Sequence, residues 1–163
     1  MKLLQRFRLP ALALLFVATA SAHADEPTLS KGQTLYLPIY SHLWHGDVKK
    51  GGYPLKDLVS ALVSIRNTDL KNPIRVTSAR YFDTGGKQLH EYLDTARTIP
   101  PMGTYELYVE RKESAGGSGA NFVISWEAGT PTNLPVIEAL HADIQGHRTL
   151  TFITTARAIR TDN

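Results

Sequence analysis

The chain has 163 residues, 42% of them hydrophobic and 20% charged, with 18 Lys and Arg, 15 Asp and Glu, and no Cys. That balance can build a core and excludes a disordered chain. Lys2, Arg6 and Arg8 account for the whole +3 excess, so residues 25–163 are neutral and the pI near 9.2 does not point to nucleic acid. The same three bases precede an apolar stretch from Leu9 to Ala20, broken only by Pro10 and Thr19. Ala22-His23-Ala24 then supplies the small-x-small pattern of a signal-peptidase site. The order predicts a signal peptide over 1–24, cleaved after Ala24. The apolar run is too short for a membrane anchor, since a span takes about 20 residues. The expected mature chain is a soluble periplasmic or secreted protein with no transmembrane segment. Without Cys it has no disulfide and no lipid-bearing thiol, so its stability must come from its core. Residues 25–32 read as a flexible lead-in, and 33–160 as a single domain.

From there the chain reads as strands. Thr34–Tyr40 is the first, and Pro38 inside it argues for an edge or a bulge. Asp57–Asn67 is the second, with Val59, Ala61, Val63 and Ile65 on one face. Ile74–Phe82 follows, then the loop Asp83-Thr84-Gly85-Gly86-Lys87 and a short strand over Gln88–Tyr92. Tyr105, Leu107 and Val109 alternate with Thr104, Glu106, Tyr108 and Glu110; Phe122, Ile124 and Trp126 alternate with Asn121, Ser125 and Glu127. Such alternation belongs to antiparallel sheets with one buried face. Val136–Ile144 and Thr149–Ile159 complete the set across Gln145-Gly146-His147-Arg148. Turn clusters fall at 69–73, 100–103, 115–119 and 129–135. The prediction is an all-β, antiparallel β-sandwich of about seven to eight strands, with an immunoglobulin-like arrangement as a candidate.

Chemistry is harder to place. His42 and His45 lie in Ser41-His42-Leu43-Trp44-His45-Gly46-Asp47, and with Asp47 and a distant His141 or His147 they form a candidate zinc or copper set. The competing reading has Asp47 capping a turn at Gly46 and both imidazoles bonded to backbone. Gly116-Gly117-Ser118-Gly119-Ala120 is a near miss to a serine nucleophile elbow, but a strand follows where the elbow needs a helix. A flexible hairpin loop fits better. Trp44, Tyr53, Tyr92 and Tyr108 are candidate exposed aromatics, whereas Trp126 falls on an apolar face. Arg66 has Asp69 as a candidate partner, beside a turn through Asn67 and Asn72.

The segments Gly32–His42 with His45-Gly46-Asp47, Ser64-Ile65-Arg66-Asn67-Thr68-Asp69, Tyr81-Phe82-Asp83, Gly116–Phe122 and Trp126 resemble successive blocks of a bacterial family catalogued as domain of unknown function 3124. The resemblance runs from about Lys31 to Ile159. It implies a small exported protein without an assigned activity, and it transfers no catalytic residue. Residues and resemblance together point to a binding or interaction module rather than an enzyme. Its candidate ligand-binding residues are His42, Trp44, His45, Asp47, Ser118 and Asn121, which form one site if both segments meet at one end of the sandwich. The expected partner is an envelope protein, a glycan or a small ligand. The alternatives are a copper- or zinc-binding protein using His42, His45 and Asp47, and an envelope hydrolase of unrecognised type.

Overall fold

The computed structural model describes residues 28–48 and 50–161. The signal peptide expected over 1–24 lies outside them. Twelve strands form in chain order: β1 (Leu29–Pro38), β2 (His42–His45), β3 (Leu55–Leu58), β4 (Ser60–Arg66), β5 (Ile74–Phe82), β6 (Gln88–Glu91), β7 (Arg97–Ile99), β8 (Thr104–Val109), β9 (Asn121–Asn133), β10 (Val136–Gln145), β11 (Arg148–Thr155) and β12 (Arg157–Ile159). All pair antiparallel. One sheet runs β12-β1-β9-β5-β6, with β7 also on β5; the facing sheet runs β11-β10-β4-β8; β2 and β3 make a separate hairpin. The fold is an all-β sandwich, as the alternation predicts.

The core is made of the inward positions of both sheets. Leu35, Leu37, Tyr81, Phe122, Ile124 and Trp126 from one meet Val63, Ile65, Leu107, Val109, Ile137 and Ala139 from the other. Val59, Ala61, Val63 and Ile65 are all buried, as their spacing requires. Strand β5 keeps Ile74 and Val76, then Ala79 and Tyr81, on the core side. The odd step between Val76 and Ala79 is absorbed by an irregularity in the pairing with β9 between Val76 and Ser78. The turn after β4 also behaves as its residues predict. The Asn67 amide donates to the carbonyls of Asn72, Ile99 and Pro100, and Asp69 accepts from the N–H groups of Lys71 and Asn72.

Several expectations need correction. The lead-in is not loose through Gly32, because β1 already begins at Leu29 and pairs with the far end of β9. Gly32 is needed there: a Cβ would lie 2.7 Å from the Trp126 carbonyl oxygen. The cluster at 129–135 is not all turn, since β9 continues through Asn133. The last strand is two. Thr155 pairs with Glu138 in one sheet and Arg157 with Tyr36 in the other, so the chain changes sheets at Ala156. Alternation is blind to that step, because both halves keep period 2. With β7 and the β2–β3 hairpin, this raises the count above seven to eight. Pro38 stands beyond the stretch of β1 that β12 covers, and Thr154 Oγ1 donates to its carbonyl at 2.7 Å. Its ring therefore removes no ladder bond to β9. Arg66 does not reach Asp69; it pairs with Glu138 across the outer face at 3.1 Å.

Candidate functional site

Ser41 is where two of the predicted segments meet. Its N–H donates to the Gly117 carbonyl and its carbonyl accepts from the Val59 N–H. Its hydroxyl is hydrogen-bonded to the buried Tyr81 hydroxyl at 3.1 Å. The loop 110–120 thus packs against the residue that leads into β2, and both segments lie at one end of the sandwich. The loop is neither a hairpin nor free. It joins β8 to β9, which belong to opposite sheets. Thr84 fastens it, donating to the Gly116 carbonyl and accepting from the Gly119 N–H. Gly116 is buried so tightly that a Cβ would overlap the Tyr81 hydroxyl. Ser118 on this loop and Asn121, the first residue of β9, are half-exposed. Among the described residues neither His nor acid hydrogen-bonds to Ser118, and β9 follows in place of a helix. The elbow is absent.

The hairpin holds the other candidates. His42 pairs with Leu58, Leu43 with Asp57, Trp44 with Lys56, and His45 with Leu55. Period 2 puts His42 and Trp44 on one face and His45 on the other. His45 Nε2 lies 2.9 Å from Asp57 Oδ2, and Arg148 of β11 also binds that carboxylate. Asp47 is exposed beyond Gly46, whose φ of +75° is the left-handed turn position expected there. The candidate metal set is therefore not assembled. Three residues apart on a strand, the two imidazoles point opposite ways. Among the described residues no group of three or more His, Asp and Glu is placed to hold a metal ion.

The His42 face is aromatic. The His42 ring meets Trp44 edge-on with centroids 5.0 Å apart, and Trp44 stacks on Tyr53 at 6.0 Å with an interplanar angle of 28°. Lys56 Nζ sits 5.9 Å from the Trp44 ring centroid. Trp44 is 46% exposed and Tyr53 85%, while His42 is 6% exposed with no partner at either nitrogen. Burial first and the Lys56 charge second hold the His42 pKa below its ordinary value, so the ring is neutral at pH 7. Of the other aromatics, Tyr108 is exposed as expected, but Tyr92 is half-buried against Tyr81 and Phe122.

Four residues that brace this end were not foreseen as site residues. Arg111 Nε donates to the Leu58 carbonyl at 3.2 Å and forms an ion pair with Asp143 at 2.9 Å, and Asp143 accepts from Gln145. Asp143 has 1% of its side chain exposed. With Asp57 and Arg148, this pair ties the hairpin to the four-stranded sheet. A signal existed: in β10, Ile137, Ala139, His141 and Asp143 share one parity, which places His141 and Asp143 on the core face.

The family model described as "Protein of unknown function (DUF3124)" matches residues 32–159, from within β1 to the end of β12. The chain belongs to this family. The match takes in both sheets, the hairpin and the glycine loop, as the resemblance implied. No curated protein matches the chain. A similar solved structure is the crystal structure of Thermotoga maritima 1070, with 15% identity and a TM-score of 0.40, covering 77% of this chain and 92% of that one.

Proposed function

We propose that the protein is an exported, periplasmic or secreted binding module, and that it takes an envelope glycan on the Trp44–Tyr53 face of the β2–β3 hairpin. The observation that carries this reading is the stacked, water-facing pair of rings, 46% and 85% exposed, on a hairpin of only four residues a side. Exposed stacked aromatics leave apolar surface in water, and the C–H face of a sugar ring covers such a surface well. The rim suits hydroxyl groups, since Lys56 stands beside Trp44, while His45, Asp57 and Arg148 brace the hairpin from its other face. The braces hold the hairpin in place, so its rings are presented rather than collapsed. Export rests on the basic, apolar and Ala-x-Ala order of residues 1–24.

Two measurements test this. Cell fractionation with N-terminal sequencing should find Asp25 as the first residue of envelope-located protein; an unprocessed cytosolic chain would refute export. Titration of the processed protein with N-acetylglucosamine oligomers and soluble peptidoglycan fragments should change Trp fluorescence saturably. Trp44→Ala and Tyr53→Ala should lose that binding with melting temperature unchanged, and Tyr108→Ala should keep it. Binding that survives both hairpin variants, or no binding to either glycan class, overturns the site.

A further inference from the structure

The sandwich has four sheet edges, and three are guarded against pairing with another chain. Strand β8 carries Glu106 and is followed by Glu110; β12 has three residues and begins with Arg157; β6 and β7 are four and three residues long and carry Glu91 and Arg97. Short length and charge are the ordinary protections of an exposed edge. Strand β11 has neither. It runs eight residues, Arg-Thr-Leu-Thr-Phe-Ile-Thr-Thr, without Pro and without a break in its register on β10. Its one charge, Arg148, is at the end and is bound to Asp57.

The direction of its free backbone groups follows from two facts. Gln145 pairs with Arg148 across a two-residue turn, and the Ala156 N–H bonds the Ile137 carbonyl. Backbone groups alternate along a strand, so the even positions of β11 face β10. Thr149, Thr151, Ile153 and Thr155 turn their N–H and C=O groups to the open edge. Their side chains are all exposed, with Ile153 at 60%. Among the described residues no strand pairs with this edge, and β1 approaches only its far end, where Thr154 Oγ1 donates to the Pro38 carbonyl.

We propose that β11 pairs antiparallel with β11 of a second copy of this chain, about a two-fold axis at Thr151. Two observations favour a second copy. The edge is uncharged over its free length, and its own sequence is an equally uncharged, β-branched complement. The register also works. A two-fold pairing must set odd positions against odd ones, and an axis at Thr151 does so: Thr151 meets its own copy and Thr149 meets the partner's Ile153. Arg148 then faces a Thr, so no like charges oppose. The pairing joins two four-stranded sheets into one of eight strands. It also places two apolar rows on the same outer face of the joined sheet, each running Ile153–Leu140–Leu62–Tyr108 through successive cross-strand pairs within its own chain. The contact is isologous and therefore closes as a dimer.

Analytical ultracentrifugation of the processed protein tests it. The expected result is a dimer that dissociates on dilution. Thr151→Lys sets like charges across the axis and should give a monomer with unchanged circular dichroism. An equimolar mixture of Thr151→Lys and Thr151→Glu should restore the dimer, which a misfolded variant cannot do. Hydrogen exchange should show the Thr149, Thr151 and Ile153 amides protected in concentrated wild type and open in dilute protein. A wild type that sediments as a monomer at every concentration overturns the proposal, as does a dimer that Thr151→Lys leaves intact.

Discussion

Acidification should weaken this fold through His141 before its carboxylates begin to protonate. The ring is fully buried, lies parallel to Phe152 with centroids 4.5 Å apart, and meets the edge of Tyr40. Nε2 accepts the Tyr40 N–H at 3.1 Å, so a proton there would displace a hydrogen bond as well as charge a buried ring. Burial dominates, and the nearby Ala139 and Phe152 carbonyls only partly oppose it; the pKa falls from 6.5 to about 4. The unfolded chain takes up a proton near 6.5 and the folded chain only near 4, so stability falls as pH falls between those values. At about 1.4 kcal/mol per pH unit, the full interval removes roughly 3 kcal/mol. His42 is lowered too, by burial and by Lys56, and adds to the same slope. Asp69 is held low by the Lys71 and Asn72 N–H groups. Its contribution is present above 3.8 and is lost only in stronger acid. Urea melts from about pH 7 to about pH 4.5 measure the slope. His141→Gln keeps an acceptor for Tyr40 but carries no titrating proton. It should lower the slope by about one proton; a variant with the full wild-type slope would refute the reasoning.

Three further changes test the packing. Gly116→Ala drives a methyl group into the Tyr81 hydroxyl, with Ser41 Oγ and the Ala120 Cβ each 2.8 Å away. It should destabilise by about 1–3 kcal/mol in denaturant melts, with loss of the Ser41–Tyr81 bond. Arg111→Ala removes the cation from the buried Asp143 carboxylate. Because Arg111 is half in water and Gln145 still donates to Asp143, the loss should be about 2 kcal/mol, below that of a fully buried pair. Limited proteolysis should then open the hairpin first, since Leu58 also loses its Arg111 bond. Phe122→Ala empties a fully buried site packed against Tyr81 and Tyr92 and should cost about 3–5 kcal/mol of thermal stability.

Much of the architecture was legible because period 2 is a local property. The faces of β4, β8 and the first half of β9 follow from their residues, and so does β5 from Ile74 to Phe82. The turn at Asn67 and Asp69 was legible for the same reason: short polar side chains bond backbone within a few residues. The candidate site was legible only in part. Nothing local shows that Ser41 meets Gly117, 76 positions later, or that Arg111 reaches Asp143. The pairing of His42 with His45 failed because it assumed a turn where a strand forms. Tyr53 became important through Trp44, which it meets only when the hairpin closes.

Length, composition and charge belong to the sequence alone. They locate the basic excess in residues 1–24, leave the rest neutral, and with the alternation specify a two-faced β fold without Cys. Which strands neighbour one another is a different kind of fact. The passage of the chain between sheets at Ala156, the burial of Gly116 under Tyr81, and the bare edge of β11 depend on contacts between distant segments. Side-chain alternation records which face is dry, but it carries no mark of what lies beside a strand's backbone. That is decided only when the two sheets pack.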